Sequence, residues 1–531
     1  MLLGSKRISF LCLVLVIGFA GVLDTIVAVS MSETYDEPDH VGYGRQILHL
    51  RPDRFRIVFD GKTPISALNA IPRVIADQLE ARHVFPRVTK LIRTWKLVRL
   101  PSTLATLLLN FLVYRWAYEL YGSAAGLASS IMVVFSPNLI AHGTLATNDG
   151  YFALGVVLSL YFFRRYLVQP TSRNACLSGF TLAFAQITKT LAIYLCPIVC
   201  MFLVLATLSK KCSAPSMTRK SLFVYATIAI VFFLTVLNIS YCFDRPFTSL
   251  SSYRFESPLF IRLQQMHILR NIRVPVPYPF LQGLDMMKFS EATGITYGNV
   301  YLLGEVRSVT DPNFHGFKSY YAVAIFFKEP IALQILFLLG LVWVWKNRSL
   351  QDFLRGEGLL LAAAGTLILW LSFFDKAQVG IRHILPVLAI EVVIAGAAFS
   401  SFTSFLRTKK IVLGLLLLWL CLSTSSYYPH MIPYMNEWVF DRRLSYRILA
   451  DSNLDWGQNE YLVQDFLKSN SDVILNPEMP TSGRVLINAN RLVGVWPRNK
   501  KPLFWALRYH PVAHVGYAHL LYQIPASSLA D

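Results

Sequence analysis

Long apolar runs dominate the chain, and they constrain its fold more than any other feature. A transmembrane helix needs about 20 mostly apolar residues to cross the hydrocarbon core of a bilayer. The sequence predicts eleven such spans, if "QITKT" separates the fifth from the sixth. They lie at 8–30, 97–117, 124–142, 150–167, 175–188, 190–208, 221–241, 320–345, 358–375, 381–400 and 410–426. The first could instead be a cleaved signal, because Lys6 and Arg7 precede it, although its apolar stretch is longer than a usual signal core.

The composition agrees with a membrane protein. Hydrophobic residues make up 54% of the 531 residues and charged residues only 15%, whereas soluble domains carry about 25% charged residues. The net charge of +19 does not indicate a nucleic-acid partner, because the basic residues lie in short loops between apolar runs. Six of the seven cysteines lie in or beside those runs without metal-ligand spacing, so we interpret them as small buried hydrophobic residues.

The basic loops predict the orientation of the spans. Cytoplasmic loops of membrane proteins carry an excess of Lys and Arg. With a cytoplasmic N-terminus, every short basic loop falls on the same, inner side. These loops contain Arg164, Arg165, Arg173, Lys210, Lys211, Arg219, Lys220, Lys346, Arg348, Arg355, Arg407, Lys409 and Lys410. We therefore expect a multi-pass membrane protein, surrounded by membrane lipids, with a non-cytoplasmic C-terminus. A bacterial inner membrane is the favoured location, and an endomembrane is the alternative.

The same topology divides the chain into two parts. Residues 1–426 form the predicted helical bundle, with two large outer loops at 31–96 and 242–319. Residues 427–531 combine a helical segment, "NEYLVQDFLKS", with alternating runs such as "GRVLINAN". This pattern is typical of a small mixed α/β domain. The fold class is thus a mainly α membrane protein with a small outer C-terminal domain.

Two acidic sites converge on the predicted outer face. In "YDEPDHVGYGRQIL", Pro38 suits the first turn of a helix, so Asp36 and Glu37 lie at its start. Asp149, in "TNDGYFALG", follows a very short outer turn. Either site could merely cap a helix or interact with its dipole. Two such sites at one face, however, suit a catalytic pocket at the membrane surface.

Four basic residues lie near the same ends of the apolar spans. Arg382 and His383 open one span, while Lys189 and Lys328 lie beside or within others. An ionisable residue at such a position is a functional candidate, because burying it unpaired is costly. The alternative is that Lys328 or Arg382 snorkels to the lipid headgroups.

The segment "DSNLDWGQNEYL" at 451–462 begins like a calcium-binding loop. It has Trp456 where an EF-hand needs glycine, and Leu462 where it needs glutamate. We reject an EF-hand and interpret the segment as a turn that could pack the outer domain on the membrane part.

Several of these segments, taken in order, resemble a known family. They are "YDEPDHVGYG", "LVRLPSTLATLLL", "SPNLIAHGTLATNDGYFA", "AQITKTLAIY", "YLLGEVRS", "YYAVAIFFKEP", "GIRHILPVL" and "DSNLDWGQN". The chain resembles the bacterial branch of the protein O-mannosyltransferase and aminoarabinose transferase superfamily, glycosyltransferase family 39. Its members are C-type membrane glycosyltransferases.

The resemblance implies a polyprenyl-phosphate-linked sugar donor used on the non-cytoplasmic face. It implies that Asp36 is the catalytic carboxylate, with Glu37 beside it, and that Asp149 helps to shape the pocket. It also implies a donor-phosphate site, for which Arg382 is the first candidate. The further candidates are His383, Lys189 and Lys328. The loop 242–319 is too short for the β-trefoil insert of eukaryotic protein mannosyltransferases, which argues against a protein acceptor. The acceptor class stays open between a lipid, a glycan and a protein.

The candidate residues also predict a mechanism independently of the family resemblance. A lipid-phosphate leaving group needs a cation, and the acceptor hydroxyl needs one base. That predicts a single inverting displacement with Asp36 as base, whereas a retaining enzyme would use Asp149 as nucleophile. A divalent cation between Asp36 and Asp149 is a further possibility.

Two functions of other classes remain open from the sequence. One is a secondary transporter that uses Asp36, Asp149 and Glu391 as ion sites, although transporters typically show internal repeats and the sequence has none. The other is a non-catalytic scaffold that binds lipid carriers.

Overall fold

The computed structural model describes residues 2–53, 61–208, 218–293, 297–309, 311, 313–402, 406–495 and 501–529. The helices of the first half are α1 (Leu2–Ser30), α2 (Glu37–Leu48), α3 (Ser66–Ala81), α4 (Pro86–Ile92), α5 (Trp95–Val98), α6 (Leu100–Tyr121), α7 (Ser123–Val134), α8 (Pro137–Gly143), α9 (Asp149–Val168), α10 (Ser172–Thr188), α11 (Leu195–Leu208) and α12 (Arg219–Ser240).

The second half contains shorter helices and all the strands of the described ranges. Its helices are α13 (Pro258–Gln265), α14 (Tyr278–Thr293), α15 (Tyr320–Lys328), α16 (Ile331–Asn347), α17 (Leu350–Arg355), α18 (Glu357–Phe373), α19 (Leu385–Ala395), α20 (Arg407–Ser425), α21 (Glu460–Ser469) and α22 (Ala489–Val493). Its strands are β1 (Thr248–Ser249), β2 (Arg273–Val274), β3 (Val300–Leu302), β4 (Glu305–Arg307), β5 (Ile474–Leu475), β6 (Gly483–Asn488), β7 (Ala513–Val515) and β8 (His519–Ile524).

The described residues contain seven helices long and apolar enough to cross a membrane, and up to nine if two bent helix pairs count as one span each. The bent pairs are α7 with α8, at 61°, and α15 with α16, at 110°. Each of the eleven predicted spans corresponds to a helix or a bent pair. The described residues give at most nine spans and not eleven, because α10 and α18, with 17 residues each, fall short of the length required to cross a membrane. The prediction of a mainly α membrane protein is confirmed.

Helix α19 lies at the centre of the bundle. Every residue from Leu385 to Ala395 is buried, Glu391 included. The other residues are apolar on all sides of the helix, and such a helix is expected to be enclosed by other helices. It packs against α6, α9, α16 and α18. Gly340 of α16 allows a close approach, because a side chain there would collide with the carbonyl oxygen of Ile394. This packing fixes the position of the segment just before α19, which carries Arg382.

The C-terminal part forms a four-stranded sheet in the order β5-β6-β8-β7. Strand β8 pairs antiparallel with β6 and β7, and β5 pairs parallel with β6. Val463 of α21 packs with Val473, Leu486 and Leu521 in a small core on this sheet. The predicted mixed α/β structure of this region is therefore observed.

Candidate active site

One cavity lies at the end of the bundle where α2, the start of α9, the end of α10 and the segment before α19 meet. Asp36, Asp149, Lys189, Arg382 and His383 all line it. The sequence predicted each of these residues for the site, and the structure places them together although they come from four distant segments.

Four of these side chains form a row of alternating charge. Lys189 Nζ lies 2.7 Å from Asp149 Oδ1. Arg382 Nη1 lies 3.7 Å from Asp149 Oδ2 and donates a hydrogen bond of 2.9 Å to Asp36 Oδ2. Arg382 thus bridges the two carboxylates that the sequence placed at one face.

Helix capping does not account for the two acids. Asp36 occupies the N-cap of α2 and Asp149 the first position of α9, yet neither helix has a side-chain capping hydrogen bond at its N-cap. The carboxylates instead point to the cations of the cavity. Burial by itself raises the pKa of Asp36, but the positive charges of Arg382 and Lys62 hold that pKa well below its usual range. Asp36 is therefore ionised, and Arg382 makes it a weak base in this state.

Glu37 does not line the cavity. Its side chain is 0% exposed and forms a two-pronged ion pair with Arg99, which is 1% exposed. Arg99 Nε and Nη2 donate to the two oxygens of Glu37 at 2.7 and 2.6 Å, and the backbone N–H groups of Thr34 and Ala146 donate at 2.9 and 2.8 Å. All acceptor sites of Glu37 are occupied by the fold. The structure thus gives this predicted catalytic residue a structural position.

Lys328 also lies away from the cavity. Its Nζ donates to the carbonyl oxygens of Ile432 and Asn453 at 2.6 and 2.7 Å, and the side chain is 0% exposed. Asn138 Nδ2 donates to the backbone carbonyl oxygen of Lys328 at 2.6 Å. Lys328 therefore ties the bend between α15 and α16 to the C-terminal part, and it neither snorkels to lipid nor reaches a donor phosphate in this arrangement.

The sequence analysis missed several residues of the cavity. Lys62 lines it from the loop before α3, and His40 from the first turns of α2. Burial lowers the pKa of His40 to about 3, so its imidazole is neutral at pH 7. Asp451 lines the cavity from the "DSNLDW" segment, where a failed calcium motif was the only signal. Lys62 lies in "FDGKTP", which has no pattern that would single it out.

The donor set does not suit a divalent cation without rearrangement. Within the described ranges, no group of three or more His, Cys, Asp or Glu side chains is arranged to hold a metal ion. Asp36 and Asp149 are the two carboxylates that could share one, and both already pair with Arg382 or Lys189. A metal ion between them stays a prediction.

Comparison with known families supports part of the resemblance inferred from the motifs. The family described as dolichyl-phosphate-mannose-protein mannosyltransferase matches residues 88–239. The predicted resemblance is confirmed over this segment. It includes α6 to α10 and Asp149. No curated protein is significantly similar to the chain in sequence.

Two solved structures match the chain over most of its length at low sequence identity. ArnT of Cupriavidus metallidurans, bound to undecaprenyl phosphate, is 12% identical with a TM-score of 0.48, over 96% of this chain and 97% of ArnT. The oligosaccharyltransferase AglB of Archaeoglobus fulgidus, in complex with an inhibitory peptide and a dolichol-phosphate, is 12% identical with a TM-score of 0.46. This comparison covers 89% of the chain but only 62% of the length of AglB. The function therefore has to be inferred from the side chains around the cavity.

Proposed function

We propose that the chain is a membrane glycosyltransferase that moves a sugar from a polyprenyl-phosphate donor to an acceptor hydroxyl on the non-cytoplasmic face. The observation that carries this proposal is the row Lys189–Asp149–Arg382–Asp36 in a cavity at one end of the bundle. The family match over 88–239 supports the class of donor, because a dolichyl-phosphate sugar is a polyprenyl-phosphate sugar.

Arg382 is suited to the donor phosphate. A guanidinium group presents a planar fork that matches two phosphate oxygens. Its Nε is buried and has no hydrogen-bond partner among the described residues. Its Cζ lies 4.0 Å from the ring centroid of Trp456, which holds the plane in place. Lys189 and His383 line the same cavity and are the next candidates for contact with the phosphate.

Donor binding would activate the base. Arg382 at present pairs with Asp36 and lowers its pKa. A phosphate that takes over the guanidinium frees Asp36 Oδ2 and brings its pKa back towards the usual range. Asp36 then becomes a better proton acceptor at the moment when the donor is in place. Before donor binding, the ion pair keeps the base inactive.

The reaction is a single displacement. The bond between the anomeric carbon and the phosphate oxygen breaks, and the polyprenyl phosphate leaves with the electron pair, stabilised by Arg382. The acceptor oxygen forms the new bond from the opposite face and gives its proton to Asp36, so the configuration inverts. Asp149 is held by Lys189 and Arg382. We therefore assign Asp149 to the orientation of Arg382 rather than to nucleophilic attack.

The test is transfer of radiolabelled sugar from a panel of polyprenyl-phosphate sugars to lipid, glycan and peptide acceptors. Wild type, Asp36→Asn and Asp39→Asn are compared as purified proteins. Asp39 lies on the same helix, three residues after Asp36, and does not line the cavity. We expect Asp36→Asn to lose transfer while still binding donor, and Asp39→Asn to retain it.

Three outcomes would contradict the proposal. Equal turnover by wild type and Asp36→Asn would remove Asp36 from the chemistry. Retention of configuration in the product would favour Asp149 as nucleophile. Absence of transfer from every donor, together with solute movement in proteoliposomes, would favour the transporter.

A further inference from the structure

The segment Asp451–Gly457, here called the DSNLDWG loop, links the C-terminal part to the wall of the cavity. Ser452 Oγ donates to the carbonyl oxygen of Val379, and Asn453 Oδ1 accepts from the N–H of Ile381 at 3.0 Å. Trp456 packs on the guanidinium of Arg382. The loop therefore holds the segment that carries Arg382. Side chains of the loop also line the cavity beside Arg382.

Asp451 occupies an unusual position in this loop. Its φ is +58°, a left-handed conformation that few residues other than glycine, asparagine and aspartate adopt. Its N–H donates to Asn490 Oδ1 at 2.7 Å, and its Oδ1 accepts from the N–H of Ser452 at 2.6 Å. Among the described residues, Oδ2 accepts no hydrogen bond, while Asp451 lines the cavity. The loop is thus folded so that one carboxylate oxygen remains available to a ligand.

Tyr35 lies beside the same loop. Its N–H donates to the carbonyl oxygen of Trp456 at 3.0 Å. Its ring packs on Gly457, where an added Cβ would lie 3.3 Å from Tyr35 Cε1. Gly457 has a φ of +93°, a backbone conformation that also favours glycine. The Tyr35 side chain is 54% exposed and lines the cavity, directly before Asp36 in the chain.

We propose that Tyr35 and Asp451 form the subsite for the sugar of the donor. An ionised carboxylate only accepts hydrogen bonds, and sugar hydroxyls are donors that match it. An aromatic ring supplies an apolar face, with a polar tip, against which a sugar ring can lie. The C-terminal part thereby takes a direct part in donor recognition, while Arg382 binds the phosphate. This inference rests on the proposed function.

The test compares two ligands, the polyprenyl-phosphate sugar that wild type uses and the same polyprenyl phosphate without sugar. Asp451→Asn keeps a side chain that tolerates positive φ, and Asp451→Gly removes the side chain without backbone strain. Removing a hydrogen bond to a charged group should weaken binding of the sugar-bearing donor about tenfold or more. Binding of bare polyprenyl phosphate should not change. Arg382→Gln should weaken the binding of both ligands.

Two controls separate the possible failures. Asp465→Asn changes an exposed carboxylate of α21 in the same part of the chain, 75% exposed, and should leave both affinities unchanged. Tyr35→Leu should reproduce the selective loss seen for Asp451. If Asp451→Asn weakened the binding of both ligands equally, or changed neither affinity, the sugar subsite would be wrong. Transfer by the wild type would in that case still support the glycosyltransferase. Absence of transfer and of donor binding in the wild type would instead overturn the function itself.

Discussion

Replacing Glu37 should destabilise the protein without removing its chemistry, although Glu37 lies next to the proposed base. Glu37→Gln takes the negative charge away from Arg99 and leaves a guanidinium group that is 1% exposed. Two charged hydrogen bonds weaken, and at least one of the four donors that face Glu37 then meets an NH₂ group instead of an oxygen. Breaking a buried ion pair in this way costs about 3–5 kcal/mol. That corresponds to roughly a 100- to 5,000-fold larger unfolded fraction.

The assay is thermal unfolding in detergent, followed by tryptophan fluorescence, together with transfer activity per folded molecule. Glu37→Gln should unfold at a lower temperature, while the folded fraction keeps the wild-type kcat. The double variant Glu37→Leu/Arg99→Met removes both charges and should recover part of the stability. Recovery stays partial because the N–H groups of Thr34 and Ala146 lose their acceptor, and the backbone carbonyls that Arg99 contacts lose their donor. A cycle of Glu37→Leu, Arg99→Met and the double variant measures the interaction energy of the pair. If Glu37→Gln kept the wild-type unfolding temperature and lost kcat, Glu37 would belong to the chemistry and the structural interpretation would be wrong.

Four further predictions concern the cavity. Arg382→Lys keeps the charge but loses the planar fork that we propose for the donor phosphate, so kcat/KM measured with the donor should fall at least about tenfold; an unchanged value would contradict the role of the fork. Burial raises the pKa of Asp451 to about 6, so its carboxylate takes up a proton below that pH and kcat/KM should fall there. If Asp451→Asn showed the same fall in kcat/KM at low pH as the wild type, Asp451 would not be the group that titrates. EDTA should leave the transfer rate unchanged, because both carboxylates are already paired with cations; a loss that Mg²⁺ restores would establish a metal. Gly380→Ala should weaken binding of bare polyprenyl phosphate, since φ is +142° and the new Cβ would collide with Ser452 Oγ in the loop that holds Arg382; wild-type affinity would show that the loop does not position Arg382.

The spans and the main charged residues of the cavity could be predicted because each has a local signal. An apolar run of about 20 residues is visible in the sequence itself. An acid or a base at the end of such a run is conspicuous because its surroundings are apolar, which is why Asp149, Lys189 and Arg382 were found. The number of spans was harder to predict, because the helices α10 and α18 have only 17 residues each and two further spans are bent by 61° and 110°.

The partners of these charges could not be predicted from the sequence. Arg99 and Glu37 are 62 residues apart, and Asn453 and Lys328 are 125 apart. Each pair forms only when the packing of several helices brings its members together. Asp451 was missed for a different reason. Its role depends on a positive φ and on the place of the loop beside the cavity, and neither follows from residue type.

The adjacent acids Asp36 and Glu37 show why a motif alone does not assign chemistry. Successive residues at the start of a helix point about 100° apart. One carboxylate therefore faces the cavity and Arg382, while the next faces the bundle and Arg99. We expect substitution of either acid to lower activity in cells, for Asp36 by removing the proposed base and for Glu37 by reducing the amount of folded protein. The two cases can be distinguished only by measuring stability and turnover per folded molecule together.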